Sequence, residues 1–216
     1  MKKIINLLIT GFMVVALCAC RTTTTNKPNK VNKTITKGES GKMLVAYFSL
    51  AGEQYDVGKI KEGNTSIIAH MIADETKANL FEIKPVTPYP TTHSKLLDIS
   101  RKEMADNARP EISGTVENMD EYDTIFIGYP NWWGDMPMIV YNFHESYDFS
   151  NKTIVPFCTH GGSGLSDTEN TIAEITKATM ADGFEISGST AQNDRDTARK
   201  EVTKWLKEGN FIESEV

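Results

Sequence analysis

Cysteine is scarce in this 216-residue chain, which contains only Cys18, Cys20 and Cys158. Two of the three fall within the first twenty residues, so the rest of the chain holds a single thiol and has no disulfide framework. Cys158 ends an apolar segment, and we expect it to be a small core residue.

Positive charge is also scarce. Without residues 1–19 the chain keeps 21 Lys and Arg against 29 Asp and Glu, a net charge of −8. Such an acidic chain repels phosphate backbones and anionic head groups. We therefore expect no nucleic-acid partner and no direct binding to anionic lipid.

Several fingerprints of other functions are missing. No G-x-G-x-x-G follows a predicted strand and no Gly-Lys-Ser/Thr occurs, which argues against dinucleotide and Walker-type nucleotide sites. No His/Cys/carboxylate spacing indicates a metal, and no Ser/His/Asp order indicates a hydrolase. We predict no metal site and assign no catalytic residue.

Long hydrophobic runs are limited to Ile4–Val15, which is shorter than the ~20 residues of a membrane-spanning helix. The run follows two lysines and ends in Leu17-Cys18-Ala19-Cys20, which resembles the lipobox of bacterial lipoproteins. Because small Ala19 precedes it, Cys20 is the predicted lipidated residue; a plain secretory signal is the alternative. The predicted location is the cell membrane, with a lipid anchor on the extracytoplasmic side.

The chain then divides into three parts: a lipoprotein signal peptide (1–19), a flexible polar tether (20–40) and one folded domain (41–216). In the domain, apolar strand candidates alternate with amphipathic helices. The predicted strands are 43–48, 80–83, a segment around Ile125, 153–157 and 184–186. The predicted helices are 64–79 with Asn64 as N-cap, 91–106, 137–146, 166–180 with a Ser166/Glu169 capping box, and 194–207. This order predicts an α/β fold with an open, doubly wound parallel sheet.

The stretch Asp123–Met138 carries the strongest functional signal. A buried-strand pattern breaks at Gly128 and Pro130, and two adjacent tryptophans follow in the loop. Both indoles cannot enter one core pocket, so we expect at least one to be exposed unless a flat partner covers it. The alternative is that both pack against the core or an oligomer interface.

Two further loops leave the carboxyl ends of predicted strands, where ligands bind in such sheets. Ser49-Leu50-Ala51, followed after an excursion by Asn64-Thr65 at a helix start, offers hydroxyl and N–H groups that suit a phosphate, although Asn64 can equally be a simple cap. The segment 159–164 is so rich in glycine that its backbone can approach a ligand edge. Together the three loops describe a site for a phosphorylated flat ring, which fits flavin mononucleotide (FMN).

The motifs VAYFS…GNT, LFEIKPVTPYP, GYPNWWGDMP and NKTIVPFCTHGGSGL resemble those of bacterial flavodoxin-like proteins. The resemblance covers about residues 42–207 and implies a flavodoxin-like, five-stranded sheet of order 2-1-3-4-5 with bound FMN. The cofactor-binding residues that we predict are Ser49, Leu50, Ala51, Asn64, Thr65, Pro130, Asn131, Trp132, Trp133, Gly134, Thr159, His160, Gly161, Gly162, Ser163 and Gly164. The phosphate loop departs from the family pattern, because the segment 52–62 interrupts it and Ala51 stands where threonine is usual.

The resemblance leaves the function open between three alternatives. The first is an electron carrier whose acidic rim docks basic redox partner proteins. The second is an FMN-dependent reductase of quinones or small molecules, linked to NAD(P)H or ferredoxin. The third is a non-redox binding module. His160, near the flavin's pyrimidine edge, either tunes the ring by hydrogen bonding or only stabilises its own loop.

Overall fold

The structure, a computed structural model, describes residues 41–213. The predicted signal peptide, Cys20 and the tether lie outside the described residues. Within the described range, no helix combines the length and the apolar character needed to cross a membrane.

The described chain alternates strands and helices as expected. The strands are β1 (Lys42–Tyr47), β2 (Gly52–Gln54), β3 (Gly58–Ile60), β4 (Asn79–Glu82), β5 (Lys84–Pro85), β6 (Ile112–Ser113), β7 (Tyr122–Pro130), β8 (Thr153–His160), β9 (Thr179–Met180) and β10 (Phe184–Ser187). The helices are α1 (Asn64–Thr76), α2 (His93–Ala105), α3 (Met138–Glu145), α4 (Thr168–Thr176), α5 (Gly188–Asn193) and α6 (Arg195–Glu208).

The central sheet is parallel throughout and has the order β4-β1-β7-β8-β10. In terms of the five main strands this is 2-1-3-4-5, so the predicted fold class is confirmed. The fifth strand comes in two pieces: β9 pairs with the start of β8, where Thr179 lies opposite Thr153, and β10 pairs with its end, where Phe184 lies opposite Phe157.

Alternation along the strands fills a separate core on each face of the sheet. On β1, Leu44 and Ala46 belong to the core packed under α3 and α4, whereas Val45 and Tyr47 belong to the core under α1 and α6. Side chains of successive strand residues point to opposite faces, so an apolar run such as LVAY fits a strand covered on both sides.

Two predicted helix caps are wrong. The helix predicted from Ser166 begins at Thr168 instead, because Ser166 has a left-handed φ of 54° and the Glu169 carboxylate accepts the Gly183 N–H rather than capping the helix. Asn64 is not an N-cap: the cap is Gly63, and Asn64 is the first helical residue. The same fourth helix also ends early, at Thr176, because left-handed Lys177 caps it.

The segment that interrupts the phosphate loop folds as a hairpin, which the sequence did not predict. Its two strands, β2 and β3, are antiparallel and pair Gly52 with Ile60. The short helix α5 was also missed; it follows β10 directly and supplies part of the site described next.

Candidate functional site at the carboxyl edge of the sheet

A cavity of about 700 Å³ lies where β7, β8 and β10 end and α1 begins. Ten of the predicted site residues line it: Asn64, Pro130, Asn131, Trp132, Trp133, Gly134, Thr159, His160, Gly161 and Ser163. The other six do not: Ser49, Leu50, Ala51, Thr65, Gly162 and Gly164. The three loops therefore meet at one site, although the first half of the phosphate loop, residues 49–51, does not line it.

The tryptophan loop is a tight two-residue turn. The Trp132 N–H donates to the Asp135 carbonyl at 2.8 Å and the Asp135 N–H donates back at 3.0 Å. Between them Trp133 and Gly134 both have left-handed φ, 60° and 81°, the combination of a type I′ turn. Glycine adopts it freely, but a residue with a side chain incurs about 1–2 kcal/mol. Strain of this kind is typical of functional sites.

The two tryptophans have different environments. Trp132 is half-buried, with its ring edge-on to Phe48 at 5.5 Å and to Tyr89 at 5.6 Å between centroids. Trp133 is 42% exposed; its Nε1–H donates to Ser100 Oγ at 3.0 Å and the Arg101 guanidinium lies 4.3 Å from its ring centroid. The expectation of one exposed indole is thus met by Trp133, whereas Trp132 is packed against the core.

Asn131 links the tryptophan turn to the glycine-rich loop. Its Oδ1 accepts the Gly134 N–H at 2.9 Å, while its Nδ2 donates to the Gly164 carbonyl at 2.9 Å and to Ser166 Oγ at 3.0 Å. Its own N–H donates to the Thr159 carbonyl. One side chain therefore fixes the relative position of two loops that line the cavity.

The glycines of the second loop have different neighbours. A Cβ on Gly161 would lie 2.6 Å from Cδ1 of Tyr55, a residue of the hairpin tip. Gly164 has a φ of 61°, and its missing side chain leaves room for the Glu185 carboxylate. Gly161 and Gly164 therefore make room for side chains of the protein itself, in addition to any approach by a ligand.

His160 ends β8 and is held by its own loop. Its Nδ1 accepts the Gly162 N–H at 2.9 Å, so in the neutral ring the proton is on Nε2. That nitrogen lies 3.8 Å from Glu185 Oε2, and the same carboxylate oxygen accepts the Leu165 N–H at 3.1 Å. His160 can therefore offer an N–H at the cavity, while the Glu185 carboxylate holds the loop through the Leu165 N–H.

The start of α1 supplies the remaining wall. Ser49 Oγ accepts the Ser66 N–H at 3.0 Å, and the Thr65 and Thr159 hydroxyls form a buried 2.8 Å hydrogen bond. The N–H groups of Asn64 and Thr65 have no carbonyl one turn earlier within the helix, as at every helix start. Asn64 Oδ1 is buried without any hydrogen-bond partner among the described residues, which is costly unless a ligand supplies a donor.

A family model described as Flavodoxin matches residues 42–208. The chain belongs to the flavodoxin family.

Two solved structures are similar to this flavodoxin in sequence as well as in fold. A flavoprotein from Bacteroides eggerthii is 29% identical, with 79% of this chain and 98% of that one covered and a TM-score of 0.63. One from Bacteroides uniformis is 30% identical, with 76% and 99% covered and a TM-score of 0.61. A flavoprotein from Lactobacillus acidophilus, solved in complex with FMN, is 22% identical with 76% and 98% covered and a TM-score of 0.54, which shows the shared fold. A comparison with curated proteins gives no match.

The sequence did not indicate every cavity residue of this flavodoxin. It missed the hairpin tip, one face of α2 and the start of α5, which contribute Gln54, Tyr55, Asp56, His93, Leu96, Leu97, Ser100, Gly188 and Ser189. The α2 residues recur at helical spacing, a pattern that is equally typical of the core face of any amphipathic helix. Among residues 41–213 no group of His, Cys, Asp and Glu is arranged to hold a metal ion.

Proposed function

We propose that this flavodoxin binds FMN and carries electrons between protein partners. The observation that supports this most directly is the unpartnered, buried Asn64 Oδ1 at the wall of a cavity that also contains a strained, exposed Trp133. An acceptor without a donor fits the hydroxyls of a ribityl chain, and an exposed indole fits a flat ring. The L. acidophilus flavoprotein, which has the same fold, was solved with FMN.

The residues of the cavity fit the cofactor in three parts. The free N–H groups at the start of α1 would hold the phosphate, since helix N-termini favour anions. Asn64 would accept from the ribityl hydroxyls, and the Trp133 indole and the loop from Thr159 would bound the ring and exclude water. His160 would hold a proton at Nε2, available to the ring's polar edge. When bound, FMN supplies the capacity to accept and release electrons.

Charge favours a carrier. The described residues contain 16 Lys and Arg against 27 Asp and Glu, a net charge of −11, which suits docking to basic partner proteins. No Lys or Arg of the described range lines the cavity; the Arg101 guanidinium lies 4.3 Å from the ring centroid of Trp133, which does line it. The reductase alternative is supported by one feature: the cavity extends along the apolar α2 face at Leu96 and Leu97, where a small acceptor would fit.

An anaerobic reductive titration of the purified protein, followed by its visible spectrum, tests the proposal. A carrier should purify with, or take up, FMN and be reduced by dithionite but not by NADH or NADPH alone. Rapid bleaching by NADPH without a partner protein would contradict the carrier and favour the reductase. A protein that takes up no FMN would overturn both.

We also propose that Cys20 carries a lipid that anchors the protein to the membrane, on the basis of the Leu17-x-Ala19-Cys20 pattern. Replacing Cys20 by Ala should release the protein from the membrane fraction. Cys18→Ala is the matched control and should remain bound. Retention of the Cys20→Ala variant would show that the anchor is not at this cysteine.

A further inference from the structure

The hairpin β2–β3 is fixed at its base to the start of α2. The Glu53 N–H donates to the Thr91 carbonyl at 2.8 Å, and the Glu53 carboxylate accepts the His93 N–H at 3.1 Å. Gly52, with a φ of 105°, passes so close to Thr91 that a Cβ would lie 2.6 Å from the Thr91 carbonyl oxygen. The end of the segment is also held, since the Glu62 carbonyl accepts from Gln192 Nε2 at 2.6 Å. The hairpin therefore has a defined position relative to the cavity.

The tip of this hairpin brings an aromatic ring to the cavity. Tyr55 lines the cavity, yet 69% of it is exposed. Its ring lies against Gly161 of the glycine-rich loop and 6.4 Å from the His93 ring, with 35° between the two planes. Tyr55 thus extends from α2 to the end of β8, and much of its ring surface remains uncovered.

The position of Tyr55 complements that of Trp133. Tyr55 lies near His93, at the start of α2. Trp133 is hydrogen-bonded to Ser100, which lies two turns after His93 on the same face of α2. Two turns correspond to a rise of about 10 Å, which leaves room for a planar ring system that contacts both side chains. Exposed aromatic rings at opposite ends of one cavity are typical of sites that bind a flat ligand.

We propose that Tyr55 is a second aromatic contact of the flavin ring, supplied by the hairpin that interrupts the phosphate loop. This inference rests on the proposed function, because it takes FMN as the occupant of the cavity. It gives the hairpin a role: to hold Tyr55 over the ring from the side of Gly161. It also gives Gly161 a role, since any larger residue there would displace the tyrosine.

Affinity for two ligands tests the contact. Apoprotein of Tyr55→Ala should bind FMN and riboflavin about two- to tenfold more weakly than the wild type, and by the same factor, because the lost contact is to the ring and not to the phosphate. Tyr55→Phe keeps the ring and should bind as the wild type does. Val57→Ala, at the same hairpin tip but outside the cavity lining, is the matched control and should also be unchanged.

Gly161→Ala provides a second, independent test. Its Cβ would push the Tyr55 ring away, so it should weaken FMN in the wild-type background and have much less effect when Tyr55 is already Ala. Thermal unfolding of each apoprotein checks that the variants are folded. Full additivity of the two substitutions would contradict the contact.

The outcomes separate the two proposals. If the wild type does not bind FMN, the proposed function fails and this inference fails with it. If the wild type binds FMN but Tyr55→Ala binds equally well, only the role of Tyr55 is overturned. If Tyr55→Phe is as weak as Tyr55→Ala, the hydroxyl and not the ring makes the contact, and the inference is wrong as stated.

Discussion

His144 on α3 allows a quantitative prediction about stability and pH. The residue is 2% exposed, and neither ring nitrogen has a hydrogen-bond partner among the described residues. Its neighbours include the rings of Phe143 and Phe149. Burial lowers the pKa of His144 from 6.5 to about 3, while the nearby Glu145 carboxylate opposes that change only weakly. The folded protein therefore keeps this imidazole neutral.

The sign of the effect follows from proton binding. Between the folded pKa of about 3 and the unfolded value of about 6.5, the unfolded chain binds more protons at this site, so acid favours unfolding. The stabilising contribution of neutral His144 is present above pH 6.5 and is lost as the pH falls. The full difference between the folded and unfolded pKa values of His144 corresponds to about 5 kcal/mol in the free energy of unfolding. About 2 kcal/mol of this stabilisation is lost by pH 5.

Urea unfolding of the wild type and of His144→Leu at pH 8 and pH 5 measures this contribution. Leucine has a similar volume and no titrating group, so the carboxylates shared by both proteins cancel in the comparison. We expect the wild type to lose about 2 kcal/mol more than the variant between the two pH values. At pH 8 the variant should be at least as stable, because no hydrogen bond is removed. An equal pH dependence in both proteins would refute the reasoning, since it would mean that His144 is hydrated or already charged.

Three further predictions concern the site. Thr65→Val should lower the free energy of unfolding by about 1–3 kcal/mol, because it leaves the buried Thr159 hydroxyl unpaired; an unchanged free energy in urea unfolding would mean that the Thr159 hydroxyl has another partner. Trp133→Ala should lower the affinity for FMN about two- to tenfold and raise the reduction potential of the bound flavin. Trp132→Ala should mainly lower the free energy of unfolding, by about 3 kcal/mol. Chemical unfolding and FMN titration of both variants would show whether the roles of the two tryptophans are reversed. Asn131→Asp sets a carboxylate oxygen against the Gly164 carbonyl, so thermal unfolding should show a loss of about 1–3 kcal/mol; an unchanged transition would mean that the two loops are not joined through this side chain.

The sequence predicted the sheet well because its strands are buried on both faces. A continuous apolar run such as that around Ile125 can be buried on both faces only between two layers of helices. The order of such strands and helices along the chain therefore predicts the architecture. The polar hairpin β2–β3 and the helix GSTAQN have no such pattern. Their positions depend on tertiary contacts, for example the carboxylate of Glu53 at the start of α2.

The cavity lining was predicted where it contains unusual residues and missed where its residues are ordinary. Adjacent tryptophans between Pro130 and Gly134 are conspicuous, and the structure places Trp133 exposed beside the cavity. Leu96 and Leu97 also line the cavity, but leucines at this spacing are equally typical of the core face of a helix. Tyr55 lies in a segment without periodicity, and only the fold brings it to Gly161.

The divided fifth strand has a consequence for self-association. Open sheet edges present unpaired N–H and C=O groups that can recruit a strand from another molecule, and proteins counter this with short or interrupted edges. Here one edge is β4, of four residues, and the other consists of two-residue β9 and four-residue β10. Between β9 and β10 the Asp182 carbonyl accepts from Trp205 Nε1 at 3.1 Å, so that acceptor is already occupied. Neither edge of the described sheet offers a template longer than four residues, which protects the folded protein against strand-swapped aggregation.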